Sequence, residues 1–164
     1  MTSAYVLNGP NLNLLGMREP EIYGTTTLTD VERSCLEVAN ELGWALEFRQ
    51  TNREGELVDW IQEAGRAQSS GDAVGVVLNA AAYTHTSIAL HDAIAGSGAR
   101  VIELHISNVY SREPFRHLSY VSPVAAGIIV GFGVAGYPIA LRALSGLGEL
   151  RGRLSRGRLC HRSR

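Results

Sequence analysis

Not one lysine occurs in this chain of 164 residues; all fifteen basic side chains are arginines. A guanidinium neither forms a Schiff base nor replaces the ammonium of a Walker loop, so mechanisms that need a side-chain amine are closed. Cysteine is scarce as well. Cys35 and Cys160 stand far apart, and neither belongs to a CxxC or CxxxxH spacing, which argues against a disulfide framework and a structural zinc site. No run approaches eighteen uninterrupted apolar residues, and the opening MTSAYVLNGP has no positive stretch ahead of an apolar one. Neither a membrane span nor a secretory leader is therefore expected, and a reducing cytoplasm is the expected setting.

What is present fits one domain with a core large enough to need no staple. Charge is unevenly spread: residues 1–150 hold nine arginines against sixteen acids, a net charge of about −7, whereas RGRLSRGRLCHRSR at 151–164 adds six arginines and no acid. The expected organisation is a single catalytic domain over 1–150 and a basic, disordered tail over 151–164. Weak nucleic-acid contact is the alternative reading of such a tail, but nucleic acid is not the expected partner.

Apolar runs rich in branched residues recur at Ala4–Leu7, Ala45–Phe48, Val74–Leu78, Val101–Leu104 and Gly127–Val130, separated by helix-length spans. Helices are expected over Thr29–Leu42, Gly55–Gln68, Ser87–Ala95 and from Pro138 towards Leu147; the first carries a capping-box pattern in Thr29 and Glu32. This alternation predicts an α/β, flavodoxin-like domain, a five-stranded parallel sheet flanked by helices in three layers. Ligands of such sheets bind beyond the carboxyl ends of the strands, so the residues after each strand are the informative ones.

Those residues are unusually polar. LNGPNLNLLGMREPEIYG, which includes Asn8 to Gly24, holds three asparagines, Arg18 and Tyr23; NAAAYTHTS follows the third strand and HISNVYSREPFRH closes the fourth. The string GFGVAG at 131–136 matches the GxGxxG fingerprint, but no further strand ending in an acid follows, so close strand-to-helix packing is its expected role. The five histidines show neither HxxxH nor HExxH spacing, and no catalytic metal is expected.

His105 ends the strand VIELH, with Glu103 two residues earlier on the same side, where a carboxylate would orient the ring and favour its protonated form. Ser107 and Asn108 add donors, Asn79 and His85 close the neighbouring loop, and Arg112 and Arg116 would share one face of a helical turn. Tyr23 is ordinarily a packed ring at a loop's end. Beside Arg18, Arg112 or Arg116 its phenol would instead lose a proton more readily and serve as a base. A silent scaffold and a nucleotide-binding oxidoreductase remain alternatives to an acid–base enzyme at this point.

Taken together, LNGPNLNLLGMREPEIYG, NAAAYTHTSIALHDAI, IELHISNVYSREPFRHLSYVSP and GFGVAGYPIALRAL closely resemble the type II dehydroquinases, the 3-dehydroquinate dehydratases of the shikimate pathway. The likeness runs from about Tyr5 to Leu144 and leaves the basic tail outside. It implies elimination of water from 3-dehydroquinate to 3-dehydroshikimate through an enolate, with no metal and no organic cofactor. By the same resemblance Tyr23 is the base and His105 the acid, with Glu103 holding its ring. Arg18, with Arg112 near it, lowers the tyrosine's proton affinity, and Asn11 holds a water against the enolate oxygen. Asn79, Ile106 and Ser107 would contact the substrate carboxylate, and His85, Asp92 and Arg116 its ring hydroxyls. Asp92 would come from a neighbouring subunit, within trimers assembled as a dodecamer. The other class of dehydroquinase needs a Schiff-base lysine, which this chain does not have.

Overall fold

Strict alternation along the first strand sets the layers. In β1 (Ser3–Asn8) successive side chains point to opposite faces, so Tyr5 and Leu7 enter one core while Ala4 and Val6 enter the other. The structure, a computed structural model, describes residues 1–17 and 25–157, with side chains as far as residue 147. All the expected strands are present as β2 (Ala45–Gln50), β3 (Ala73–Asn79), β4 (Val101–His105) and β5 (Gly127–Val130). They form one sheet in the order β2-β1-β3-β4-β5, every neighbouring pair parallel, which is the flavodoxin-like arrangement.

Helices α1 (Leu28–Glu41) and α4 (Gly136–Gly157) cover one face, and α2 (Glu54–Ser70) and α3 (Ile88–Ser97) the other. Val31, Cys35, Val38, Leu141 and Leu144 pack with Ala4, Val6, Val77 and Leu104 in the first core. Leu57, Ile61, Leu90 and Ile94 meet Tyr5, Leu7 and Leu78 in the second. Each such buried aliphatic side chain contributes roughly 1.5–3 kcal/mol, well above the value of an exposed ion pair such as Arg33 with Asp30.

Three local expectations are corrected. The capping box of α1 is built by Thr27 and Asp30, not Thr29 and Glu32: the Thr27 hydroxyl accepts from the Asp30 amide at 3.2 Å and the Asp30 carboxylate from the Thr27 amide at 3.0 Å. Starting earlier brings Leu28 onto the apolar face with Val31 and Cys35. Second, α4 begins at Gly136 and runs past Leu147 to Gly157, since no proline follows Pro138 to stop it. Third, Arg112 and Arg116 do not share a helical turn. Pro114 forces Glu113 into an extended conformation (φ −61°, ψ 142°), which splits the segment into two 3-10 turns, Val109–Ser111 and Pro114–Arg116.

The chain leaves β1 for β2 on one side and returns to β3 on the other, so the loops after β1 and β3 diverge and open a crevice at the strand ends. Gly9 stands at the point of divergence. Its amide donates to the Asn79 carbonyl at 2.8 Å, and a Cβ on it would run into the Ala80 backbone carbonyl. The GFGVAG turn is a packing device of the same kind: a Cβ on Gly136 would lie 2.7 Å from a Leu104 methyl. Gly9→Ala is expected to destabilise the fold by about 1–3 kcal/mol, because the obstructing atoms are backbone and cannot rotate away. Denaturant unfolding checks this; an unchanged midpoint would show that the two loops separate without cost.

Candidate active site

The carboxylate of Glu103 is fully buried on β4, and the groups around it are all donors. Ser119 donates to Oε1 at 2.7 Å, the hydroxyl of Thr84 donates to the same oxygen, and that of Ser122 donates to Oε2. The Nε2 of His105, two residues along the same strand face, lies 2.8 Å from Oε1. Burial by itself would push the Glu103 carboxyl up. The hydrogen bonds from His105, Ser122, Thr84 and Ser119 outweigh it and hold the group down at about 2. A charged, satisfied carboxylate thus fixes the Nε2 edge of the His105 ring and leaves Nδ1 for the cavity that His105 lines.

That cavity, about 420 Å³, lies at the strand carboxyl ends and is lined by Asn11, Asn79, His85, His105, Ile106, Ser107, Arg112 and Arg116, together with Pro10, Leu12, Ala81, Ala82 and Glu113. Asn11 holds a left-handed conformation (φ 67°), which asparagine tolerates better than most residues, and its amide donates to Asn52 Oδ1 at 2.9 Å. The rings of His85 and His105 stack with centroids 6.2 Å apart. The Nδ1 of His85 donates to the Leu118 carbonyl at 2.7 Å. Burial pushes the His85 pKa down, the bond to Leu118 only partly offsetting it.

Positive charge enters from the split segment after β4. The carboxylate of Glu113 lies 2.9 Å from Arg116 Nε and 3.5 Å from Arg112 Nε, and Arg112 also reaches Ser107 Oγ at 3.5 Å. Glu113 thereby does the pairing that a shared helical face was expected to do. Two guanidiniums therefore line this wall of the cavity, with Glu113 set between them. The imidazole of His117 meets the Arg112 carbonyl at 3.1 Å and steadies the turn.

Of the residues picked out in the sequence, the structure gathers Asn11, Asn79, His85, His105, Ile106, Ser107, Arg112 and Arg116 around one cavity, with Glu103 beneath His105. Asp92 is not among them: it is exposed on α3 and lines a groove between α2 and α3 with Gly65, Arg66 and Ser97. Arg18 and Tyr23 lie outside the described residues. Sequence reading missed Thr84, Ser119, Ser122 and Glu113. No spacing could have revealed the three hydroxyls, since two of them sit far along the chain from the third and meet only across the sheet end; Glu113, flanked by two singled-out arginines, was within reach.

The Glu103 charge also couples the site to stability. Its folded pKa is held below the value of about 4.3 expected in an unfolded chain, so its contribution is complete above that pH and is lost as pH falls towards 2. Urea unfolding at a series of acidic pH values should show stability falling through this window by roughly 3 kcal/mol on account of Glu103. Glu103→Gln should be less stable at neutral pH and flatter in acid; a curve parallel to that of the native protein would assign the acid sensitivity to other carboxylates.

The comparisons bear directly on this arrangement. The family described as Dehydroquinase class II matches residues 2–145. A protein of Ralstonia nicotianae named 3-dehydroquinate dehydratase 2 is 62% identical over 144 residues, covering 88% of this chain and 94% of that protein. A 3-dehydroquinate dehydratase of Variovorax paradoxus is also 62% identical over 144 residues, covering 88% of this chain and 99% of its own length. The crystal structure of the type II dehydroquinase of Propionibacterium acnes superposes with a TM-score of 0.82 at 44% identity, covering 89% of this chain and 97% of that one. With the match extending through every strand and all the loops that line the cavity, the chain belongs to the class II dehydroquinase family.

Proposed function

We propose that the protein is a 3-dehydroquinate dehydratase that eliminates water from 3-dehydroquinate to give 3-dehydroshikimate through an enolate, in the shikimate pathway leading to chorismate and the aromatic amino acids. The observation that carries this reading is the buried Glu103–His105 pair opening on an arginine-lined cavity in a chain of this family. In this mechanism Tyr23, as phenolate beside Arg18, removes the proton alpha to the ketone. Arg112 adds to the same positive field. Negative charge moves onto the carbonyl oxygen, where a water held by Asn11 stabilises the enolate.

The enolate then expels the hydroxyl beta to the ketone, and His105 donates a proton from Nδ1 so that water departs. Its Nε2–H stays on Glu103 throughout, because an ionised carboxylate is a better acceptor than anything else in reach. Asn79, Ser107 and the backbone at Ile106 hold the substrate carboxylate, while His85 and Arg116 meet the ring hydroxyls. Asp92 serves the same purpose in a neighbouring subunit's site, in trimers assembled as a dodecamer; its exposure on α3, away from the cavity of its own chain, supports this. We take the enzyme to work in the cytoplasm, and no helix among the described residues is long and apolar enough to cross a membrane.

Mixing purified protein with 3-dehydroquinate and following the ultraviolet absorbance of the conjugated enone tests the reaction. Tyr23→Phe and His105→Ala should each lower kcat by roughly 10²–10⁴-fold, with substrate binding largely kept in Tyr23→Phe. A native protein that is folded yet inert would sink the reading, and a fully active Tyr23→Phe would reassign the base. Arg18→Ala should move the acidic limb of the rate profile to higher pH, since the phenolate loses its cation; a limb that stays in place would disconnect the two residues.

A further inference from the structure

Tyr137 directly follows the GFGVAG turn, and it is one of the largest side chains fully removed from solvent. Nothing in the proposed chemistry uses it. Its hydroxyl nevertheless lies between two asparagines, Asn8 and Asn79, which end β1 and β3 in register with each other at the crevice. Tyr137 Oη is 2.7 Å from Asn8 Oδ1 and 2.9 Å from Asn79 Nδ2.

Counting protons settles which way each group points. Asn8 Nδ2 is 3.1 Å from the Arg49 carbonyl, and a carbonyl can only accept, so the amide nitrogen of Asn8 faces Arg49 and its oxygen faces Tyr137. Burial pushes the phenol pKa of Tyr137 far up, so the hydroxyl keeps its single proton and spends it on Asn8. Only a lone pair is then left for Asn79, which must present an N–H. At the far end the backbone amide of Ala81, which can only donate, meets Asn79 Oδ1 at 3.2 Å. Reversing either amide would set donor against donor or acceptor against acceptor among buried side chains, at a cost of about 1–3 kcal/mol per unmet group.

Asn79 therefore has both its oxygen and one amide hydrogen committed. The second hydrogen has no protein acceptor among the described residues, and Asn79 lines the cavity. We infer that Tyr137 is a positioning residue: the relay from the Arg49 carbonyl by way of Asn8 and Tyr137, acting with the Ala81 amide at the other end, holds Asn79 so that it offers an N–H, never a carbonyl oxygen, to an anionic group of the substrate. This rests on the proposed role of Asn79 as a substrate contact. It also gives the glycine-rich turn a purpose, since close packing of Gly136 on Leu104 is what lets the following residue reach the strand ends from the opposite layer.

The test is a double-mutant comparison with 3-dehydroquinate, using native protein, Tyr137→Phe, Asn79→Ala and the two combined, each checked by thermal unfolding. Tyr137→Phe should raise KM by about tenfold, the value of one hydrogen bond to a charged group, with a smaller change in kcat. In the Asn79→Ala background the same substitution should leave KM where it is. An unchanged KM in folded Tyr137→Phe, or an equal rise in both backgrounds, would overturn the relay. Asn8→Leu disturbs it from the far end and carries the same expectation if Tyr137→Phe does not fold. An unchanged KM in Asn79→Ala would remove the contact and the proposal with it. Absence of turnover in the native protein would defeat the dehydratase reading alone, because calorimetric affinity for 3-dehydroquinate can replace KM in the same comparison.

Discussion

A single buried negative charge organises this molecule. An ionised carboxylate inside a protein costs several kcal/mol unless donors replace the water it loses, and Glu103 obtains them from four residues in three parts of the chain. His105 is next to it on β4, Thr84 comes from the loop after β3, and Ser119 and Ser122 come from the crossover between β4 and β5. Satisfying one side chain thereby pins two loops against a strand end. The catalytic histidine of the proposed mechanism inherits its orientation from that same requirement.

The crevice follows from topology in an equally impersonal way. Because the order β2-β1-β3-β4-β5 reverses between β1 and β3, loops from neighbouring strands part company there, and polar groups gather where no helix covers the sheet end. Two asparagines at matching register close the floor of the crevice, tied together by a tyrosine from the layer behind. Charge is supplied separately, by a segment that Pro114 breaks into two turns so that Glu113 holds a guanidinium on either side. Glu103 thus carries both fold stability and ring orientation, whereas the guanidiniums are held by a separate carboxylate on a separate segment.

How much of this could be read beforehand depends on the range of the interaction. Alternating and helical periodicity reports what one element buries, and every strand was legible for that reason. Capping boxes are ambiguous when two threonines each precede an acid by three positions, and the choice of Thr27 over Thr29 depended on where Leu28 found a core to enter. The face shared by Arg112 and Arg116 was misjudged through the effect of Pro114 on the residue before it, a local rule that was available but outweighed by spacing. Asp92 lies outside its own chain's cavity, an expectation that came from the family resemblance and not from any pattern in the chain.

By itself the sequence determined the layer architecture, the polar character of the loops after β1, β3 and β4, and the closure of side-chain amine chemistry through the absence of lysine. These depend on composition and on contacts a few residues apart, which periodicity and residue type record directly. Only the tertiary structure decided that three distant hydroxyls would stabilise Glu103 and that Tyr137, with the Ala81 amide, would hold the orientation of Asn79. Such hydrogen bonds join residues from different crossovers, and nothing in a linear pattern says which polar groups will be left facing one another once the sheet has closed around them.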